Sequence, residues 1–195
     1  DVVRVPLEVG SLEDSLEYRW ASATARQIGT AVHAALEAIA AQAALDDPAA
    51  AAAIVQGAEN IGGNALSSML NFYTPATDEA YWVGSRDDYR LLDSGEFGIN
   101  TNEYVQSAYL VVARARWMGD QAVSKLAKFN ADGKLLDKQL LVRAYLNAAI
   151  VYNGIADKYD DIAFSDRTVA GKNYGEQGMV ALYDSATKWL DAALP

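Results

Sequence analysis

The chain predicts an all-α protein carrying one extended arm at its N-terminus. Three observations carry that prediction. Apolar residues recur at helical spacing over long stretches, alanine-rich runs such as "DPAAAAAIVQGAENIGG" dominate between turn signals, and two-residue alternation is convincing only in the first nine positions.

In "VRVPLEV", Val3, Val5, Leu7 and Val9 alternate with Arg4, Pro6 and Glu8, the period of a half-buried strand. Pro6 removes a backbone donor and confines such a strand to an edge. With no second strand pattern to pair with, residues 1–10 are expected either to lie on their own helices or to enter another chain, since buried unpaired backbone groups are costly.

One helical domain, 11–195, is expected to follow. Ser11 and Asp14 suit the first turn of a helix in which Leu16, Trp20, Ile28, Val32, Leu36 and Ile39 recur up to about Ala44. "LDDP" ends it, and Asp47 caps the next helix with Pro48 in its first turn. That helix spans roughly 48–71, and Gly57, Gly62 and Gly63 allow close helix approach or a kink. A long insertion, 72–100, comes next. Thr101 caps a helix to about Phe129; "NADG" turns at 130–133 with Gly133 left-handed, and a helix runs from about Lys134 to Tyr159. A polar loop leads to the last helix, about Glu176 to Leu194. Helices joined by so short a turn pack antiparallel, which makes the pair over 101–159 the firmest element.

Composition narrows the function. Hydrophobic residues make up 51% of the 195, enough for a sizeable core. A net charge of −10 without a basic cluster disfavours nucleic acid and anionic lipid, both of which rely on Lys and Arg. No cysteine is present, so thiolate metal sites and cysteine nucleophiles are excluded. No apolar run is long enough to span a bilayer. A chain that opens on Asp1 rather than Met fits one whose leader has been cleaved, and an exported protein is expected.

The C-terminal helices carry a likeness. In "LYDSATKWLDAALP", Tyr183, Ala186, Leu190 and Ala193, closed by Pro195, resemble the second helix of a tetratricopeptide repeat, where small residues admit partner helices. Together, "ARARWMGDQAVSKL", "LLVRAYLNAAIVYNGIADKYDDIAFS" and "ALYDSATKWLDAALP" resemble the tetratricopeptide-containing N-terminal half of SusD/RagB-like proteins, over roughly 105–195. The resemblance implies a non-enzymatic protein exposed at the cell surface that binds glycans or peptides beside an outer-membrane transporter. "DSL" at 14–16 and "DSA" at 184–186 are similar to the Asp-Ser-aliphatic O-glycosylation sites of Bacteroidota.

No motif marks catalysis, and no cofactor is expected. His33, the single histidine, reads as a structural residue, because no nucleophile or orienting group is marked as its partner. Acidic residues Asp78, Glu79, Asp87, Asp88, Asp93 and Glu96 read as a solvated face rather than a glycosidase pair. "DKYDD" and "SRDDY" offer oxygen ligands but miss the calcium-loop pattern, and "GKNYGEQG" lacks the phosphate-loop spacing. The insertion is the main candidate surface. Phe72, Tyr73, Tyr81 and Trp82 either plug the helices or, with Tyr89 and Phe97, anchor a protein interface or stack on sugar rings. The expected function is self-assembly, head-to-tail through the arm residues Val3, Val5, Leu7 and Val9, into a ring or filament. Tyr73, Tyr81, Trp82, Tyr89 and Phe97 would form the receiving or lateral surface. Cell-surface glycan or nutrient binding is the alternative.

Overall fold

The computed structural model describes residues 44–96, 102–166 and 169–194. By internal contact the chain divides into Asp1–Asp46 and Asp47–Pro195, and the architecture below is that of the second unit. The expected arm with Val3, Val5, Leu7 and Val9, the expected first helix with His33, and residues Phe97 and Thr101 lie outside the described residues.

Asp47 opens the unit as expected: its Oδ1 accepts the Ala49 backbone N–H at 2.9 Å, with Pro48 starting a single 3₁₀ turn, Pro48–Ala50. The chain continues directly into α1, Ala51–Ala76. This helix outruns the expected stop at 71. Pro75 lacks only one backbone donor so close to the end, and the Thr74 and Thr77 hydroxyls bond the Leu70 and Tyr73 carbonyls. Asp78 then turns left-handed (φ 58°), and the Glu79 and Ala80 N–H groups close on the Thr74 carbonyl.

The insertion is not wholly irregular, because it contains a short helix α2, Asp87–Asp93. Helix α3 covers Glu103–Ala131. Its cap is Asn102, whose Oδ1 accepts the Tyr104 and Val105 N–H groups at 3.1 and 3.3 Å, and this replaces the expected Thr101. Gly133 (φ 69°) makes the anticipated left-handed turn. Helix α4, Gln139–Lys158, starts later than expected. Lys134 and Leu135 are held instead on the Phe129 carbonyl, while Asp137 takes the Gln139 N–H. Helix α5 is Gly175–Ala193. Among the described residues there is no strand; one isolated antiparallel bridge, Ala163 with Asn173, pins the loop before α5.

The molecule is therefore all-α, in a bundle-like arrangement. Two buried clusters set the directions. One joins Val55 and Ala58 of α1, Leu126 and Phe129 of α3, and Leu140 and Ala144 of α4. The other joins Met69 of α1, Val112 and Ala115 of α3, Tyr152 and Ile155 of α4, and Met179 and Leu182 of α5. Helix α3 thus runs antiparallel to both α1 and α4, and α5 runs antiparallel to α4. Small residues make the seams tight, since a Cβ at Gly62 of α1 would stand 2.5 Å from Asn147 Oδ1 on α4. Both α1 and α5 lie against α4, which leaves a groove between them.

Candidate interaction surfaces

The insertion folds its rings onto one another. Trp82 stacks on Tyr89 (centroids 4.5 Å apart) and Tyr89 on Tyr104 of α3 (3.8 Å), giving a three-ring ladder. Arg86 closes the far end: its guanidinium lies 5.8 Å from the Tyr104 ring centre, donates to the Tyr104 hydroxyl and pairs with Glu103. The hydrogen bond to Tyr104 raises the Arg86 pKa further above its already high value. Asn102 and Asp88 fasten this unit to α3. Asn102 donates to the Asp88 carbonyl at 2.8 Å, and Asp88 Oδ2 accepts the Glu103 N–H at 3.0 Å. Asp88 is therefore a second acceptor at the α3 N-terminus rather than one more solvated acid.

The predicted aromatic surface divides three ways. Trp82 and Tyr89 come together in the ladder. Phe72 and Tyr73 belong to α1: Phe72 packs edge-on against Tyr159 at 5.9 Å and plugs the core edge, and Tyr73 lies under the Lys158 ammonium at 4.1 Å. Tyr81 joins neither group and is 80% exposed, like Val83 two residues on. The ladder's third ring, Tyr104, and its Arg86 were not anticipated. Tyr104 reads in sequence as an ordinary helix position, and a contact across a loop of this length has no local signature.

The larger finding is the groove between α1 and α5, about 470 Å³ in volume, with α4 as its floor. Apolar side chains line it without covering one another: Leu70 is 52% exposed, Ile150 42% and Leu190 44%, beside Met69 of α1 and above Ala149 and Gly154 of α4. Its polar groups are already engaged at one end. Asp157 accepts from the Tyr183 hydroxyl at 2.7 Å and from Asn153, while Lys158 rests on Tyr73. That bond to Asp157 raises the Tyr183 pKa. A hint was legible: α4 reads "LLVRAYLNAAIVYNGIADK", apolar on nearly every side, which asks for neighbours all round it.

The opposite side of α4 is closed by a buried polar cluster. Arg116 is only 8% exposed; it pairs with Asp120 at 3.0 Å, donates to the Ser165 carbonyl, and covers the Phe164 ring at 4.7 Å. Tyr152 donates to Asp120 at 2.9 Å. Burial pushes the Asp120 carboxyl above the usual range, although Arg116 and Tyr152 oppose that shift, and burial raises the Tyr152 phenol as well. Asp161 anchors the other end of the loop, accepting the Gly175 N–H at the start of α5 and Asn173 Nδ2, at 2.8 and 2.7 Å. Those bonds, the Gly175 N–H first, lower its pKa. Asp157 and Asp161, the two outer acids of "DKYDD", thus serve different partners. Among the described residues no three His, Cys, Asp or Glu side chains gather into a metal-binding group, and no helix is long and apolar enough to cross a membrane.

No family model, curated protein or solved structure matches this chain.

Proposed function

We propose that this chain is a non-enzymatic, exported helical-repeat protein of tetratricopeptide-like build that works by self-assembly. The N-terminal part of one copy enters the α1–α5 groove of the next. A single observation carries the reading: a concave strip in which Leu70, Ile150 and Leu190 remain accessible while the core beneath them is closed. Apolar surface left in such a strip gains free energy when covered, at about 25 cal/mol per Å². Because the entering segment and the groove are different surfaces, the contact is heterologous and builds a ring or an open filament.

Light scattering across a concentration series tests the reading. Mass rising with concentration is expected, and Ile150→Glu, which places a charge in the strip, should abolish the rise while leaving the helical circular dichroism unchanged. A chain that stays monomeric throughout overturns the proposal.

A second reading, glycan or nutrient binding at the cell surface, has one specific support in Tyr81, whose ring is almost fully open to solvent. Trp82 and Tyr89 serve it less well, because each gives a ring face to the ladder. Calorimetric titration with oligosaccharides should then give a signal that Tyr81→Ala removes.

A further inference from the structure

Resting on the self-assembly reading above for its consequence, we infer that Trp189 is the positioning residue of the groove. From the far side of α5 it sets how far that wall stands from α1, and so the width that an entering segment meets. Period and anchorage both argue for this.

The period of α5 gives it two adjacent ridges. Met179, Leu182, Ala186 and Trp189 recur at i, i+3, i+7 and i+10 and pack into the core cluster that holds Tyr152 and Ile155 of α4. Val180, Tyr183, Thr187 and Leu190 repeat that spacing one residue on, and all four are exposed. Tyr183, Thr187 and Leu190 line the groove, whereas Trp189 does not. The two ridges stand about 100° apart around one helix. Whatever fixes the roll of the inner ridge therefore fixes where the outer one points.

Anchorage shows what fixes that roll. Helix α5 packs on α4 and has no comparable contact with another described helix, so its distance from α1 is set from the α4 side. The start of α5 is held by Asp161, which accepts the Gly175 N–H and the Asn173 side chain. Toward the other end, the last α5 side chain packed into the cluster is Trp189, the largest in the helix. Its ring meets the Tyr152 ring edge-on, with centroids 4.4 Å apart and planes at 78°. Tyr152 is buried and braced by the Phe164 ring at 5.4 Å, so it acts as a fixed stop. A smaller side chain at 189 would let the C-terminal half of α5 roll toward Tyr152, which turns Leu190 away from Leu70. A surface matched to its partner tolerates only about 0.5 Å of such displacement.

The test uses the absence of cysteine in the chain. Full-length Leu70→Cys/Leu190→Cys carries one spin label on each wall. Pulsed electron paramagnetic resonance reads the distance between them in a dilute sample, where both labels belong to one chain. Adding Trp189→Leu should lengthen the mean distance by about 1–2 Å. Trp189→Phe, which keeps a ring edge against Tyr152, should restore it, and Trp189→Met is read in place of the leucine variant if that variant does not fold. Phe129→Leu lowers stability in the other core cluster and should leave the distance unchanged. In light scattering of unlabelled chains, Trp189→Leu should lose the rise of mass with concentration and Trp189→Phe should keep it. An unchanged or shorter distance in Trp189→Leu overturns the inference, and so does an equal lengthening in Phe129→Leu. A wild-type chain that stays monomeric while Trp189→Leu lengthens the distance overturns the self-assembly reading and leaves the positioning role standing.

Discussion

The aromatic ladder and the α1–α5 groove are both rich in apolar surface, yet they stand in opposite conditions. In the ladder each ring is covered by another ring or by Arg86, and Asn102 and Asp88 bolt the unit to α3. In the groove, Leu70, Ile150 and Leu190 face open space. Aromatic content alone would rank the ladder first as a binding surface. Coverage reverses the ranking: a ring that has spent its faces on neighbours has little left for a partner, whereas an uncovered aliphatic strip has all of its burial still to gain.

Substitutions can break this contrast or sharpen it. The largest effect is expected at the closed side of α4. Asp120→Ala leaves Arg116 buried without its carboxylate and should cost about 3–5 kcal/mol in chemical denaturation, with no change in the assembly of the protein that remains folded. Next comes the ladder. Tyr89→Ala removes the ring shared by both stacks and should cost about 2 kcal/mol, again by denaturant titration; a cost near zero would mean the ladder is not held by its stacking.

Acid should act through Asp161. Its folded pKa is depressed, so its contribution is complete at neutral pH and is lost as pH falls through the folded value, below the ordinary carboxylate range. Asp161→Asn keeps an acceptor for the Gly175 N–H but does not titrate. The stability gap between wild type and variant should narrow on going from pH 7 to pH 3, as followed by thermal melts. The smallest effect on stability is expected in the groove. Leu70→Glu and Leu190→Glu should each stay within about 0.5 kcal/mol of wild type while removing concentration-dependent association. A cost of several kcal/mol there would show that the strip is covered within the folded protein, and would break the comparison.

Much of the fold was legible because its determinants are local. Asp47–Pro48, the left-handed Gly133 and the helical periods around α3, α4 and α5 act within a few residues of themselves, so neighbours in sequence suffice to read them. Where reading slipped, a second local signal competed. Asn102 displaced Thr101 as the cap, and α1 ran through Pro75, which removes only one donor within two residues of the helix end. The candidate surfaces were legible only in part. Trp82 and Tyr89 stood out by type, but their partner Tyr104 and the split of Tyr73 and Tyr81 from them depend on how a loop returns to a helix.

By itself the sequence determined an all-α chain, the Asp47–Pro48 start and the glycine turn at Gly133, an acidic composition and the absence of thiol chemistry, all of which follow from composition and short-range periodicity. Only the tertiary structure decided which apolar residues are left over. Ile150 and Ile155 are the same residue type on the same helix, yet one faces the groove and the other is fully buried. The difference arises because α1 and α5 both pack on α4 without closing the space between them, and exposure is a property of what packs nearby rather than of the residue itself.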